Sequence, residues 1–249
     1  FWNTLTAAWY ADGGAGGVGV FREDSNWTPN GTIPFQITAD VVPALCTTDC
    51  YVATTGSDSN LGNVDTPFLT IQKGIDTASA GGTVHVAAGT YVTNLAVNKR
   101  VSIIGAGSGS GGTIVTSPAV IDYKVGVLQV SASGISGQPI LFKDLRILPV
   151  SQAGISVGRF TESTGQNVDY LSLENVQVIG TNSNPATEQE RGLYVDNTST
   201  LNHLTIVDSG FNNLTYGWYF QKSVSADTST VSNVSVTNTT FNLNSTKGI

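Results

Sequence analysis

The feature that most restricts this chain is a pattern that returns about every thirty residues. Asp144-Leu145-Arg146-Ile147 leads to Gly154-Ile155-Ser156-Val157, and Asn175-Val176-Gln177-Val178 leads to Gly192-Leu193-Tyr194-Val195. His203-Leu204-Thr205-Ile206 then leads to Gly217-Trp218-Tyr219-Phe220, and Asn233-Val234-Ser235-Val236 leads to Gly248-Ile249. Leu145, Val176, Leu204 and Val234 follow one another at spacings of 31, 28 and 30. Each unit reads as short strands between turns and cannot bury its apolar face alone. Stacked units would pair every strand in parallel with its counterpart and share one core. A propeller blade needs four antiparallel strands in ~40–45 residues. These units are shorter, so the pattern predicts an all-β solenoid.

A different period precedes the strands. Thr66 is placed as an N-cap and Pro67 at the first helical position, where no backbone donor is needed. Phe68, Ile71, Ile75 and Ala78 then fall on one helical face. Gly81-Gly82 is expected to stop the helix, and Val84 and Val86 resume strand alternation. A short amphipathic helix is therefore predicted to cover the open start of the core.

The stretch Tyr51 to Gly107 carries Gly56-Ser57-Asp58, Thr66-Pro67-Phe68, Thr70-Ile71-Gln72, Gly82-Thr83-Val84, Gly89-Thr90-Tyr91 and Ile103-Ile104-Gly105. In these it resembles the opening of right-handed parallel β-helix proteins of the pectate-lyase-like superfamily. The resemblance runs from Tyr51 to the end. It implies a β-helix domain over 51–249 with an N-terminal capping helix, and a surface or adhesin type of member. It does not imply an activity, because such proteins include lyases, hydrolases, adhesins and structural spikes. Residues 1–50 lie outside it and read as a β-rich or linker segment holding Trp2, Trp9 and Trp27.

Composition narrows the function. Charged residues are 12% of the 249, and the formal charge of -7 argues against a nucleic-acid partner. No apolar run reaches the ~20 residues of a membrane span. Cys46 and Cys50 lack a second cysteine pair and a nearby histidine, so a small-loop disulfide in an oxidising compartment is favoured over half a metal site. Asn26, Asn30, Asn197, Asn213, Asn233, Asn238 and Asn244 each open an Asn-x-Ser/Thr sequon. A chain this rich in Asn, Ser and Thr makes some by accident. Their clustering near the end points to glycosylation of an extracellular protein.

Polyuronate lyases and hydrolases of the resembled group use clustered acids on neighbouring coils with a basic residue, and motifs such as Asn-Thr-Asp, Asp-Asp or Gly-His-Gly. None occurs here. Glu188-Gln189-Glu190-Arg191, in the longest insertion, is the nearest acid pair and reads as a solvated rim. Asp144, Asn175, His203 and Asn233 fall in one predicted column, which reads as a polar ladder serving turn amides rather than an acid–base pair. His85 is placed outward and solvated. Asp58, Asn60 and Asp65 have the spacing of a calcium turn, with local backbone bonding as the plainer alternative. Tyr219 is the aromatic of Gly-Trp-Tyr-Phe free to face out and touch a glycan, whereas Trp218 and Phe220 take the inward phase.

No catalytic or metal-binding residue and no cofactor is therefore assigned. The chain opens on Phe1 and stops where a fifth unit begins, which predicts a processed or truncated segment of a longer protein. The leading expectation is an extracellular or cell-surface structural or adhesive protein, partnered by its own copies, by other surface proteins or by polysaccharide. A polysaccharide lyase or hydrolase and a glycan-binding module are the alternatives.

Overall fold

A computed structural model describes residues 44–118, 125–158, 165–181, 190–220 and 229–242. The expected linker before residue 44 and the start of a fifth unit at Gly248-Ile249 lie outside these, as do Asn26, Asn30, Glu188 and Asn244.

Among the described residues, sixteen strands and one helix follow in chain order. They are β1 (Asp49–Val52), α1 (Ile71–Thr77), β2 (Thr83–Val86), β3 (Gly89–Val92), β4 (Leu95–Val97) and β5 (Ser102–Ile104). Next come β6 (Thr113–Thr116), β7 (Gly126–Val130), β8 (Ile140–Leu148), β9 (Ala153–Val157) and β10 (Asn167–Ile179). The last are β11 (Arg191–Val195), β12 (Thr200–Val207), β13 (Gly210–Asn212), β14 (Tyr216–Phe220), β15 (Thr230–Thr237) and β16 (Thr240–Asn242). Every strand pairing is parallel. Eleven strands form one wrapped sheet, along β1-β2-β5-β8-β10-β12-β15 with side branches, and five form a second, β4-β7-β9-β11-β14. The chain is a parallel β-helix, as its repeat predicts.

The core lies inside the coils. Val84, Ile103, Phe142 and Leu173 stack in register from one coil to the next, all fully buried. Burying each such side chain contributes roughly 1.5–3 kcal/mol. Leu193 and Trp218 continue the inward phase on the second sheet, and Phe220, in register with the buried Val195, takes the same phase although it is 39% exposed on the last described strand of that sheet. Gly192 allows this packing: a Cβ there would sit 2.2 Å from the Gly217 carbonyl and 2.4 Å from the Phe211 ring.

The helix starts later than its sequence suggests. Thr70 is the N-cap and its Oγ1 accepts from the Lys73 amide, so Thr66 and Pro67 precede the helix. Phe68 is drawn instead into a parallel bridge with Val52, and its amide donates to the Tyr51 carbonyl. The apolar stripe of Phe68, Ile71, Ile75 and Ala78 is buried, and α1 packs on β1, β2 and β4 at the start of the core. Cys46 and Cys50 form a disulfide beside β1.

The predicted polar column divides into two. In register, Asp144 meets Asn175, whose counterpart one coil on is Asp208, followed by Asn238. His203 instead lies between Tyr170 and Asn233. All seven residues have φ between 47° and 55°, so both columns are left-handed bends where the wrapped sheet turns. The Asn175 amide donates to Asp144, and Asn238 to Asp208, so each rung ties successive coils.

Candidate functional site

The second sheet presents the surface with the most chemistry. Connections of nine to eleven residues enter or leave this sheet between β6 and β7, β9 and β10, β10 and β11, and β14 and β15. The bends of the wrapped sheet, by contrast, are mostly single left-handed residues. Insertions are tolerated where no ladder ties successive coils, so the margins of the second sheet are where a solenoid can grow loops around a ligand.

Along the outer face one column reads Ala96, Gln129, Ser156, Tyr194, Tyr219, and beside it runs Gly126, Ala153, Arg191, Tyr216. Small side chains thus give way to aromatic ones toward the later coils. Arg191 is 3% exposed, with its guanidinium carbon 4.4 Å from the Tyr219 ring centre, 5.0 Å from Tyr194 and 6.0 Å from Tyr216. Tyr194 and Tyr219 are offset-stacked at 6.1 Å and 20°, and Tyr216 leans on Tyr219 at 4.7 Å and 58°. The Tyr194 hydroxyl donates to the buried Asp196 carboxylate. A cation against several ring faces is held by their quadrupoles and fixes the rings in turn. Tyr194 is fully buried while Tyr216 and Tyr219 are half-buried, so two anchored rings show one edge or face each.

Tyr219, singled out from the sequence as free, is therefore packed on one side. Arg191 and Tyr194, which the repeat did not single out, anchor it. The missed signal was the column itself, Tyr194 above Tyr219, which is visible once the two glycines Gly192 and Gly217 are aligned.

The other candidates have structural partners. Glu190 is 1% exposed rather than solvated; its carboxylate accepts from the Thr181 amide and hydroxyl and from the Ser151 amide. Asp58 accepts from the amides of Leu69 and Thr70 and from the Thr70 hydroxyl, and Asn60 donates to the Pro67 carbonyl. His85 is not simply solvated: it stacks on Tyr51 at 4.8 Å and its Nε2 lies 2.9 Å from Asp49. Glu174 accepts a hydrogen bond from Lys143 and holds that ammonium above its ordinary pKa. Among the described residues no three His, Cys, Asp or Glu side chains gather as a metal site, and no helix is long and apolar enough to cross a membrane.

Residues 54–146 match a family described as "Protein of unknown function (DUF1565)". A stretch of 63 residues, 24% of the chain, is 38% identical to pectate lyase PEL9 of Emericella nidulans and covers 15% of that protein. Among solved structures, a rhamnogalacturonan lyase aligns over 77% of this chain and 51% of its own, at 17% identity and a TM-score of 0.47. A pectin methylesterase variant in complex with a hexasaccharide aligns over 77% and 67%, at 12% identity and a TM-score of 0.35. The chain thus spans a small part of the pectate lyase and about half of the rhamnogalacturonan lyase.

Proposed function

The chain is a pectate-lyase-like parallel β-helix, and from that premise we propose that it is an extracellular structural or adhesive protein that holds polysaccharide without cutting it. The observation that carries this reading is the Tyr216–Tyr219 pair, half-exposed and backed by the buried Arg191 guanidinium. Rigid tyrosine rings offer an apolar face to the C–H side of a pyranose and a hydroxyl to its rim, at little cost in conformational entropy. Pectate lyase PEL9 is named for acting on pectate, which supports the ligand class. The acids near the rings serve structure: Glu190 closes a turn and Asp196 holds Tyr194.

The test is affinity electrophoresis of the protein through gels containing polygalacturonate, rhamnogalacturonan or a neutral glucan. Formation of unsaturated uronate ends is followed in parallel. Retardation that Tyr219→Ala and Tyr216→Ala weaken at least tenfold, without new chain ends, supports the reading. Cleavage of any of these polymers would overturn it in favour of a lyase or hydrolase.

A further inference from the structure

We infer that Asn233 and Asn238 are acceptor sites for N-linked glycans, whereas Asn197 and Asn213 stay bare. This stands apart from the polysaccharide reading and rests on how the fold treats four identical-looking sequons. Transfer joins the asparagine Nδ2 to the anomeric carbon of a lipid-linked oligosaccharide; one amide proton and the lipid pyrophosphate leave. The transferase must reach both the amide and the hydroxyl two residues on.

At the last described coil both groups are reachable. Asn233 and Asn238 are exposed, and so are their sequon partners Ser235 and Thr240. Asn233 Nδ2 donates to Asn202 Oδ1 at 2.7 Å, and Asn238 Nδ2 to Asp208 Oδ1 at 3.0 Å. A primary amide carries two N–H groups. A glycan replaces one proton and leaves the other for the ladder, so modification and rung coexist. Both residues occupy left-handed bends, where the side chain stands at a corner of the coil.

At the other two sequons the hydroxyl is sealed. Ser199, partner of Asn197, is fully buried, and its Oγ accepts from the Gln166 amide at 3.0 Å. Thr215, partner of Asn213, is 4% exposed, and both asparagines are half-buried. Exposure of the whole triplet, not of the motif in sequence, separates the pairs. The glycans would stand on bends of the wrapped sheet, while Tyr216 and Tyr219 belong to the other sheet.

The experiment is secretion of the full chain from a eukaryotic host, with intact mass and glycopeptide mapping before and after amidase release of N-glycans. Occupancy at Asn233 and Asn238 is expected, each lost in Ser235→Ala or Thr240→Ala, which leave the asparagine ladder in place. Asn233→Gln and Asn238→Gln should lose the same glycans. Equal or greater occupancy at Asn197 or Asn213, or a secreted chain bare at both Asn233 and Asn238, would overturn the inference.

Discussion

The rings of Tyr170 and His203 lie face to face at 4.2 Å and within 3° of parallel, and both residues hold left-handed backbone, at φ 53° and 55°. Aromatic side chains rarely take this conformation. Here the bend imposes it, and the stack between coils, worth about 0.5–1.5 kcal/mol, offsets part of the strain. His203→Asn keeps a residue that tolerates the bend and loses the stack together with the ring's contacts to Asn202 and Asp169. His203→Val loses the stack and puts a branched Cβ where left-handed backbone costs about 1–2 kcal/mol more. Unfolding free energies of the two variants from urea denaturation should differ by that amount; equal values would remove the bend from the account.

Core position should decide the cost of truncation. Phe142 is fully buried between Ile103 and Leu173, so Phe142→Ala is expected to cost about 3–5 kcal/mol. Val234 shares the inward phase but is 41% exposed, and Val234→Ala should cost less than about 1 kcal/mol. Chemical denaturation of both checks that the cost of truncation follows burial.

One carboxylate organises the entry to the capping helix. Asp58 accepts from two backbone amides and a hydroxyl just before α1, and Thr70 in turn caps Lys73. Asp58→Ala leaves those amides to water and is expected to destabilise by about 1–3 kcal/mol. The loss should be local first. Amide exchange at Lys73 and Gly74 ought to accelerate more than at Leu171 or Leu204; uniform acceleration would mean that the cap and the coils unfold as one unit.

The coil repeat and the inward alternation were legible because each strand buries one face, and parallel stacking makes that face recur. The columns were not. Every coil contains two units of the same local form: Tyr170-Leu171-Ser172-Leu173 is followed by Asn175-Val176-Gln177-Val178 within β10. Aligning Asn175 with His203 therefore slips by half a coil at no penalty in pattern. The actual partners Ile140, Leu171, Leu204 and Val234 lie 31, 33 and 30 residues apart. The same geometry explains two of the sequons. A left-handed Asn, an inward apolar residue and an outward hydroxyl make Asn233-Val234-Ser235, and Asn213-Leu214-Thr215 repeats the order with its hydroxyl buried. The Arg191 cluster escaped because its contacts join two strands, β11 and β14, which no single segment displays.

Alkaline stability should report Tyr91. This residue is 6% exposed, its hydroxyl donates to the Ala87 carbonyl at 3.0 Å, and burial raises its pKa above the ordinary value, outweighing a backbone hydrogen bond at Thr54 that lowers it. The unfolded chain therefore releases the phenolic proton first, near pH 10. From there upward the folded state binds more protons than the unfolded one, so stability falls with rising pH until the folded pKa is passed. Below pH 10 this contribution is fully present. Tyr91→Phe removes the proton and the hydrogen bond together. It should lower stability by about 1 kcal/mol at pH 8, and the difference from wild type should shrink as pH climbs from 9.5 to 11.5. Urea denaturation across that window gives the slope directly. A gap that stays constant with pH would mean that Tyr91 ionises in the folded coil as it does in the unfolded chain.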